Sequence, residues 1–210
     1  MQSYKATIKS SGPTLEACMD LPAVTGLHPG VVLCHPHPLY GGDMENAVVM
    51  AMSRAITANG MAVLRFNFRG VGKSRGTFAD GEGELEDALS ALAHLSLQQG
   101  VDPGRIGIAG YSFGGMVAMG AANTSSLVKA MAAVSPVMGA GVLEDCHKPK
   151  YIIAGADDSV VSVSSVRQGV ESMADPKEIE IIEGADHFWW GQSAVVGKKV
   201  AGFFAGVFFI

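Results

Sequence analysis

Short apolar runs alternate with longer segments of helical periodicity along most of the chain. Six short runs predict strands, most of them apolar throughout and therefore typical of strands buried on both faces of a sheet. They cover residues 31–34, 61–66, 105–109, 128–134, 151–154 and 178–182. Five further segments predict helices, because apolar side chains recur at helical spacing or because the segment is small and apolar. They cover residues 46–59, 84–99, 116–122, 162–173 and 191–209.

The first 30 residues have a different pattern. Residues 4–8 and 15–21 alternate between apolar and polar side chains, which predicts two half-buried strands joined by a turn at Ser10-Ser11-Gly12-Pro13. Such strands suit the antiparallel edge of a larger sheet. The strand–helix alternation that follows predicts an α/β fold with a mostly parallel central sheet and helices on both faces. We expect residues 1–210 to form one domain.

Two local signals place element boundaries. Asp43 is the expected cap of the helix over residues 46–59, and Gly60 is expected to end it. Asp102-Pro103-Gly104 predicts a turn that leads into the strand over residues 105–109.

Composition narrows the class of protein. Apolar residues make up 48% of the chain and charged residues 17%, which is typical of a globular protein rather than a disordered one. The formal charge of −5 argues against nucleic acid or an anionic membrane as partner. The three cysteines form neither a disulfide framework nor a C-x-x-C metal pattern. With no secretory signal and no apolar stretch long enough to span a bilayer, we expect a cytoplasmic protein.

The candidate chemistry centres on residues 110–115, Gly-Tyr-Ser-Phe-Gly-Gly, which lie between a predicted strand and a predicted helix. A serine at the apex of such a sharp turn needs small neighbours, because the strand and helix backbones approach closely there. Ser112 becomes a useful nucleophile only with a base, usually a histidine oriented by a carboxylate. Asp157 or Asp158 and then His187 follow predicted strands at the same edge of the sheet, so all three groups are expected to meet there.

Two further segments make the sequence similar to a known superfamily. They are residues 35–42, His-Pro-His-Pro-Leu-Tyr-Gly-Gly, and residues 64–72, Leu-Arg-Phe-Asn-Phe-Arg-Gly-Val-Gly. With the serine turn they resemble the α/β-hydrolase superfamily, and within it a group of compact bacterial hydrolases related to dienelactone-hydrolase-like esterases. The resemblance implies an α/β-hydrolase fold over essentially the whole chain. It also implies that Ser112 is the nucleophile and His187 the general base, with the order Ser, Asp, His that is usual there.

The resemblance also indicates which aspartate orients the histidine. The superfamily places its carboxylate three residues after the glycine that ends a strand, which implies Asp158 after Gly155, with Val160-Val161 following. Asp157 is then a loop residue, although a shift of register by one position would exchange the two aspartates. Asp186, beside His187, is expected to form a turn.

The oxyanion hole needs two backbone N–H donors. Phe113, directly after the nucleophile, is expected to supply one. The other is expected from the loop after residue 34, where Pro36 and Pro38 have no N–H, leaving His37, Leu39 or Tyr40. The superfamily's pattern at the end of this strand implies His37.

The connection over residues 135–149, where many members of the superfamily insert a helical cap, is predicted to be only a loop, which leaves an open cleft. We expect the cleft to be lined by apolar and aromatic side chains. They are Tyr40, Phe113, Met138, Val161, Phe188, Trp189 and Trp190.

The function expected from these residues is a serine carboxylesterase that cleaves small acyl esters through an acyl-enzyme. A thioesterase or peptidase would use the same triad, and a binding protein on a hydrolase scaffold is the alternative from another class. No cofactor is implied, and no metal, because His35 and His37 lack a third ligand at suitable spacing. A monomer or a homodimer is expected, depending on whether the apolar residues 202–210 form a packed helix, which we favour, or partly a dimer surface.

Overall fold

A computed structural model describes residues 2–9, 12–139 and 141–209. Within these residues, eight strands form one sheet in the order β1-β2-β4-β3-β5-β6-β7-β8. The strands are β1 (Gln2–Ile8), β2 (Leu15–Leu21), β3 (His28–Cys34), β4 (Ala62–Phe66), β5 (Val101–Tyr111), β6 (Val128–Val134), β7 (Lys150–Gly155) and β8 (Lys177–Ile182). The helices are α1 (Ala47–Ala58), α2 (Glu82–Ser96), α3 (Phe113–Thr124), α4 (Val163–Ser172) and α5 (Ser193–Phe208).

The sheet is mostly parallel, as the strand–helix alternation predicts. Strands β3 to β8 pair in parallel, while β1 pairs antiparallel with β2, and β2 pairs antiparallel with β4. The predicted antiparallel edge is therefore confirmed. Of its predicted turn, Ser10 and Ser11 lie outside the described residues. Parallel pairing brings the carboxyl ends of β3, β5, β6, β7 and β8 to one edge, where the loops that follow them meet.

Helices cover both faces of the sheet, which explains why the central strands are apolar at every position. Helices α2, α3 and α4 pack on one face, with Leu92, Val117 and Val166 in its core. Helices α1 and α5 pack on the other face, with Met52 and Phe204 in its core. The predicted packed helix at the end of the chain is thus observed for the described residues up to 209, with Ile210 outside them.

Several predicted element boundaries differ from the observed ones, and three of these differences have a local cause. The cap of α1 is Asn46, whose side-chain oxygen accepts from the N–H of Val48, while Asp43 accepts from Glu45 in the preceding turn. Helix α2 begins two residues early, at Glu82, because the carboxylate of Glu84 accepts from the N–H of Gly81 and completes the first turn.

The third difference concerns residues 102–104, where a turn is expected before the strand. Strand β5 already begins at Val101, but its pairing with β3 jumps from Val101–His28 to Ile106–Gly30, and Asp102 Oδ1 accepts from the N–H of Gly104. The expected turn is therefore present as a bulge within the strand.

Among the described residues of the segment 135–149 the chain forms turns but neither helix nor strand. The expectation that no cap domain covers the sheet edge is confirmed for this part of the chain. None of the helices in the described residues combines the length and apolarity needed to cross a membrane.

Candidate active site

Ser112 lies in a tight turn between β5 and α3, with φ 55° and ψ −119°. This left-handed backbone is strained for a residue with a side chain. It is held by hydrogen bonds from the Ser112 N–H to Val134 O, at 2.8 Å, and from the Gly115 N–H to Ser112 O, at 2.9 Å. A side chain at position 110 would overlap the carbonyl oxygen of Gly114. The turn can therefore form only with glycine there.

Gly114 fixes how closely the helix approaches the neighbouring strand. A Cβ at this position would overlap the carbonyl oxygens of Cys34 and His35, at the end of β3. The absence of a side chain thus brings the start of α3 against the loop after β3, which carries the candidate oxyanion donors.

The structure joins Ser112, His187 and Asp158 in one chain of hydrogen bonds. His187 Nε2 lies 3.0 Å from Ser112 Oγ, and His187 Nδ1 lies 2.8 Å from Asp158 Oδ2. These residues come from the ends of β5, β8 and β7, which the parallel sheet brings to one edge. This geometry is that of a nucleophile, a base and the carboxylate that orients the base.

Of the two neighbouring aspartates, Asp158 faces the histidine. Its other oxygen, Oδ1, accepts from the N–H groups of Val160 and Val161, at 2.9 and 2.8 Å. The side chain is completely buried, whereas Asp157 is exposed to solvent. Both oxygens of Asp158 are thus held in place, and one is aimed at His187.

Tyr111 supports the histidine loop, a role that no pattern in the sequence indicates. Its hydroxyl donates to the carbonyl oxygen of His187 at 2.7 Å. Burial raises the pKa of Tyr111 above its usual value, so the hydroxyl remains a donor at neutral pH. The variable position before the serine in the G-x-S-x-G motif was the only available signal, and it carries no information about a contact 76 residues away.

One backbone N–H in the loop after β3 and one at the start of α3 have no acceptor among the described residues. The N–H of Leu39 donates to His37 Nδ1 at 3.2 Å, and the N–H of Tyr40 donates to His37 O at 3.1 Å. Within the described chain, the N–H groups of His37 and Phe113 have no hydrogen-bond acceptor. Of the three donors that the sequence left open in this loop, His37 is therefore the available one.

The expected cleft residues differ in exposure. Tyr40, Phe188 and Trp190 are exposed, Phe113 and Val161 are buried, and the partly buried Met138 packs against Gly169 of α4. These residues remain candidates for contact with a substrate.

The prediction that Trp189 lines the cleft is wrong. Its side chain is 1% exposed and belongs to the core on the face of α1 and α5. The indole Nε1 donates to Ser135 Oγ at 3.3 Å. The backbone of Trp189 is left-handed, with φ 58°, and this turn directs alternate aromatic residues of the loop to opposite sides. Trp190 is consequently outside and Trp189 inside.

No group of three or more potential metal-ligating side chains occurs in the described ranges. His35 and His37, which are separated by Pro36 on the same loop, make separate contacts. His35 is completely buried, and the ring of His37 packs against those of Tyr40, Phe78 and Phe113.

Comparisons with known proteins agree with this geometry. A solved α/β serine hydrolase homologue from Coxiella burnetii is 31% identical, with a TM-score of 0.87 over 96% of this chain and 97% of that one. A second solved structure, described as an α/β serine hydrolase without lid from Xanthomonas campestris, is 27% identical, with a TM-score of 0.87 over 98% of this chain and 95% of that one.

Among curated sequences, an uncharacterized protein of Rickettsia prowazekii is 37% identical over 183 residues, which is 82% of this chain and 76% of that protein. The family model described as X-Pro dipeptidyl-peptidase (S15 family) matches residues 12–188. The chain therefore belongs to the S15 family of the α/β-hydrolase superfamily, and has the lid-less form of that fold.

Proposed function

We propose that this protein is a serine carboxylesterase that cleaves small acyl esters through an acyl-enzyme. The observation that carries the proposal is the continuous hydrogen-bond chain from Ser112 through His187 to Asp158. Ser112 Oγ attacks the ester carbonyl while His187 Nε2 accepts its proton, and Asp158 stabilises the resulting imidazolium. The N–H groups of His37 and Phe113 stabilise the oxyanion.

The second half of the reaction uses the same groups. His187 returns the proton to the leaving alcohol, and the acyl group stays on Ser112 Oγ. Water then attacks the acyl carbonyl while His187 takes a proton from it. The bond between the acyl carbon and Ser112 Oγ breaks, His187 returns the proton to Oγ, and the carboxylic acid leaves. The described part of the segment 135–149 forms no cap over the site, so water can reach Ser112 directly.

Three of the loops at the site support a neutral substrate. The loops over residues 35–46, 156–162 and 183–192 contain aspartate and glutamate but no lysine or arginine. An acyl carrier with phosphate groups would find no cation in these loops. In the loop after β4, which reaches the site through Phe78, the nearby Arg69 is already paired with Glu86 and Asp87. The exposed aromatic rings of Tyr40 and Phe188 instead offer apolar surface beside the two histidines of the site.

The test is hydrolysis of p-nitrophenyl esters from acetyl to dodecanoyl. We expect short chains to be preferred, and Ser112→Ala to lower kcat by at least 10³-fold, the order of magnitude seen when a triad nucleophile is removed. Asp158→Asn is expected to cost on the order of 10³–10⁴-fold, because it orients His187 in the wrong tautomer. Asp157→Asn is the matched control and should retain nearly full activity.

A fluorophosphonate probe gives an independent readout of the nucleophile. Intact-protein mass should increase by one adduct, and peptide mapping should place that adduct on Ser112. Equal ester hydrolysis by wild type and Ser112→Ala, or an adduct elsewhere, would contradict the proposal.

The S15 match favours peptide cleavage as the second candidate, because that family model is described as an X-Pro dipeptidyl-peptidase. An X-Pro p-nitroanilide tests it with the same Ser112→Ala control. Turnover of the anilide with no turnover of any oxygen ester would replace the esterase proposal with a peptidase. Turnover of thioesters alone would indicate a thioesterase, and labelling without turnover of any of these would favour a binding protein.

We also propose that the protein works in a reducing compartment such as the cytoplasm. Cys18, Cys34 and Cys146 are all buried and free. Alkylation of freshly lysed cells under denaturing conditions, followed by mass spectrometry, should find three modified thiols. A disulfide-linked pair would contradict this location.

A further inference from the structure

His35 is a buried histidine that the proposed reaction does not use. It directly follows β3, is completely buried, and has a hydrogen-bond partner at each ring nitrogen. Nδ1 lies 2.7 Å from the carbonyl oxygen of Pro36, and Nε2 lies 3.0 Å from the backbone nitrogen of Phe68. The ring also packs edge-on against the ring of Phe68, with the centroids 4.6 Å apart.

These two partners select one form of the imidazole. A carbonyl oxygen can only accept and a backbone N–H can only donate, so Nδ1 must carry the proton and Nε2 must be bare. This is the neutral Nδ1–H tautomer. Burial lowers the pKa of His35 to about 4, outweighing the hydrogen bond to Pro36 and the charge of Asp43, which both raise it. The ring is therefore neutral at pH 7.

The hydrogen bond to Pro36 O also determines where the next N–H points. The carbonyl of Pro36 and the N–H of His37 belong to the same planar peptide group and point in opposite directions. Fixing the carbonyl on the side of the His35 ring therefore fixes the His37 N–H on the other side. A rotation of this peptide group would break the bond to His35 and turn the N–H away.

We propose that His35 is a positioning residue, which holds the Pro36–His37 peptide group so that the His37 N–H can stabilise the oxyanion. The inference rests on the esterase proposal, in which this N–H is one of the two donors. It assigns a role to the first histidine of the His-Pro-His-Pro segment, whose function the sequence left open.

The rest of the loop supports the same orientation. Gly42 packs so closely that a Cβ would overlap the carbonyl oxygen of Pro36, and its N–H donates to His37 O at 3.0 Å. Pro38 restricts His37 to an extended backbone, which is observed at φ −54° and ψ 123°. Gly42 and Pro38 thus restrict the Pro36–His37 peptide group, and the hydrogen bond from His35 determines which way its carbonyl and N–H point.

The other contact of His35 joins it to the segment after β4. The side-chain oxygen of Asn67 accepts from the N–H of Met44 at 2.9 Å, and the N–H of Arg69 donates to Asp87 Oδ2 at 2.8 Å. Phe68 is therefore held on both sides, and its N–H is a fixed anchor for His35 Nε2. The two sequence segments that carry the family resemblance, residues 35–42 and 64–72, meet at this imidazole.

The test separates the two bonds of the ring by two substitutions. In His35→Asn, the side-chain amide N–H falls near the position of Nδ1 and can still donate to Pro36 O, but the acceptor for Phe68 is lost. In His35→Gln, the amide reaches the position of Nε2 and can accept from Phe68, but the donor to Pro36 is lost. We expect His35→Gln to lower kcat for p-nitrophenyl acetate by 10²–10³-fold, as for the loss of an oxyanion donor, with KM changed less than threefold. We expect His35→Asn to retain kcat within about tenfold of wild type.

His28→Gln is the matched control. Both ring nitrogens of His28 also lie against backbone oxygens, at 2.9 Å from Gly60 and 2.8 Å from Val24, at the opposite end of β3. A histidine that only stabilises the fold should behave like His28, with kcat of the folded protein unchanged. If His35→Gln keeps kcat within threefold, or if His35→Asn is as impaired as His35→Gln, the proposal is overturned.

A second measurement does not depend on turnover. Nitrogen-15 NMR of the imidazole rings of the wild type should show His35 as the neutral Nδ1–H tautomer at pH 7, and an Nε2–H tautomer would overturn the proposal even if neither variant folds. If the wild type hydrolyses none of the test substrates, the esterase proposal fails by itself. The backbone amide shift of His37 in His35→Gln against His35→Asn then still reports whether the peptide group has turned.

Discussion

At the scale of single residues, buried hydrogen-bonding groups hold the candidate site in place. His35 and Tyr111 each use a polar side chain to fix one backbone carbonyl, that of Pro36 and that of His187. Each carbonyl belongs to a loop that carries a reacting group. Removing either side chain leaves a buried acceptor without its donor, which costs free energy in addition to the lost contact.

The first prediction concerns the pH dependence of stability. The pKa of His35 is lowered to about 4 in the folded protein. Between pH 6.5 and 4 the unfolded chain binds a proton that the folded chain does not, so stability must fall as the pH falls through this range. Between pH 7 and pH 4.5 we expect His35 to account for a loss of about 2 kcal/mol in the free energy of unfolding.

Urea unfolding of the wild type and His35→Asn at the two pH values measures this loss. The variant lacks the titrating ring, so its stability should fall less than that of the wild type between pH 7 and 4.5. Other groups, such as Asp20, titrate in both proteins, so their contributions to the loss of stability cancel in the difference. Parallel decreases would contradict the prediction.

The second prediction concerns Tyr111→Phe, which removes one hydroxyl and little volume. The carbonyl oxygen of His187 then loses its buried donor, at a cost of about 1–3 kcal/mol in the free energy of unfolding. Because the histidine loop loosens, we expect kcat to fall by roughly tenfold with KM nearly unchanged. The control is Tyr4→Phe, a half-exposed residue of β1. A kcat equal to wild type would show that the remaining loop contacts suffice to position His187.

At the scale of elements, glycines decide how closely helices approach their neighbours. In α5, a Cβ at Gly197 would lie 2.5 Å from the carbonyl oxygen of Ala51 in α1, whereas a Cβ at Gly202 would have no atom within 4 Å. Gly197 therefore permits the close α1–α5 contact, whereas a side chain at Gly202 would meet no other part of the described chain.

This contrast gives a pair of opposite predictions within one helix. Gly202→Ala should stabilise the protein by about 0.5–1 kcal/mol, because alanine loses less backbone entropy than glycine on folding into a helix. Gly197→Ala should destabilise it by about 1–3 kcal/mol, because the helices must move apart. Urea unfolding of both variants under the same conditions checks the signs. Equal changes in the free energy of unfolding would mean that α5 can move away from α1 without loss of stability.

At the scale of the whole molecule, a buried ion pair joins the antiparallel edge to the parallel part of the sheet. Arg65 of β4 donates from Nε to Asp20 Oδ2 of β2 at 2.7 Å, and both side chains are buried. Asp20 also accepts from Ser3 of β1 and Ser53 of α1. Burial alone would raise the pKa of Asp20, but the hydrogen bonds from Arg65, Ser3 and Ser53 outweigh it and lower the pKa.

The fourth prediction follows from this pair. Asp20→Leu leaves the buried guanidinium of Arg65 with only the exposed carboxylate of Glu45 as an ionic partner, which should cost about 3 kcal/mol in the free energy of unfolding. The double variant Asp20→Leu/Arg65→Leu removes both charges and should recover much of that loss. Urea unfolding of the single and double variants measures the difference. A double variant no more stable than the single one would show that the cost lies in packing rather than in the unpaired charge.

The sequence by itself determined the sheet, most helices and the residue types of the site. Continuous apolar runs require burial on both faces, so a parallel sheet with helices on both sides follows from the pattern. The meeting of serine, aspartate and histidine follows as well, because each comes after a strand of the parallel part of the sheet and those strands end at one edge. The glycines around Ser112 indicate the sharp turn without reference to distant residues.

Tertiary structure decided the choices that depend on where neighbouring side chains point. Asp157 and Asp158 differ in sequence by one position, yet only Asp158 is turned toward His187 and bonded by Val160 and Val161. Trp189 and Trp190 are chemically identical, yet Trp189, with its left-handed backbone, lies in the core and Trp190 is exposed. The His35 bond to Phe68 joins loops 33 residues apart. Such contacts form only when distant segments pack together, and no local pattern in the chain encodes their direction.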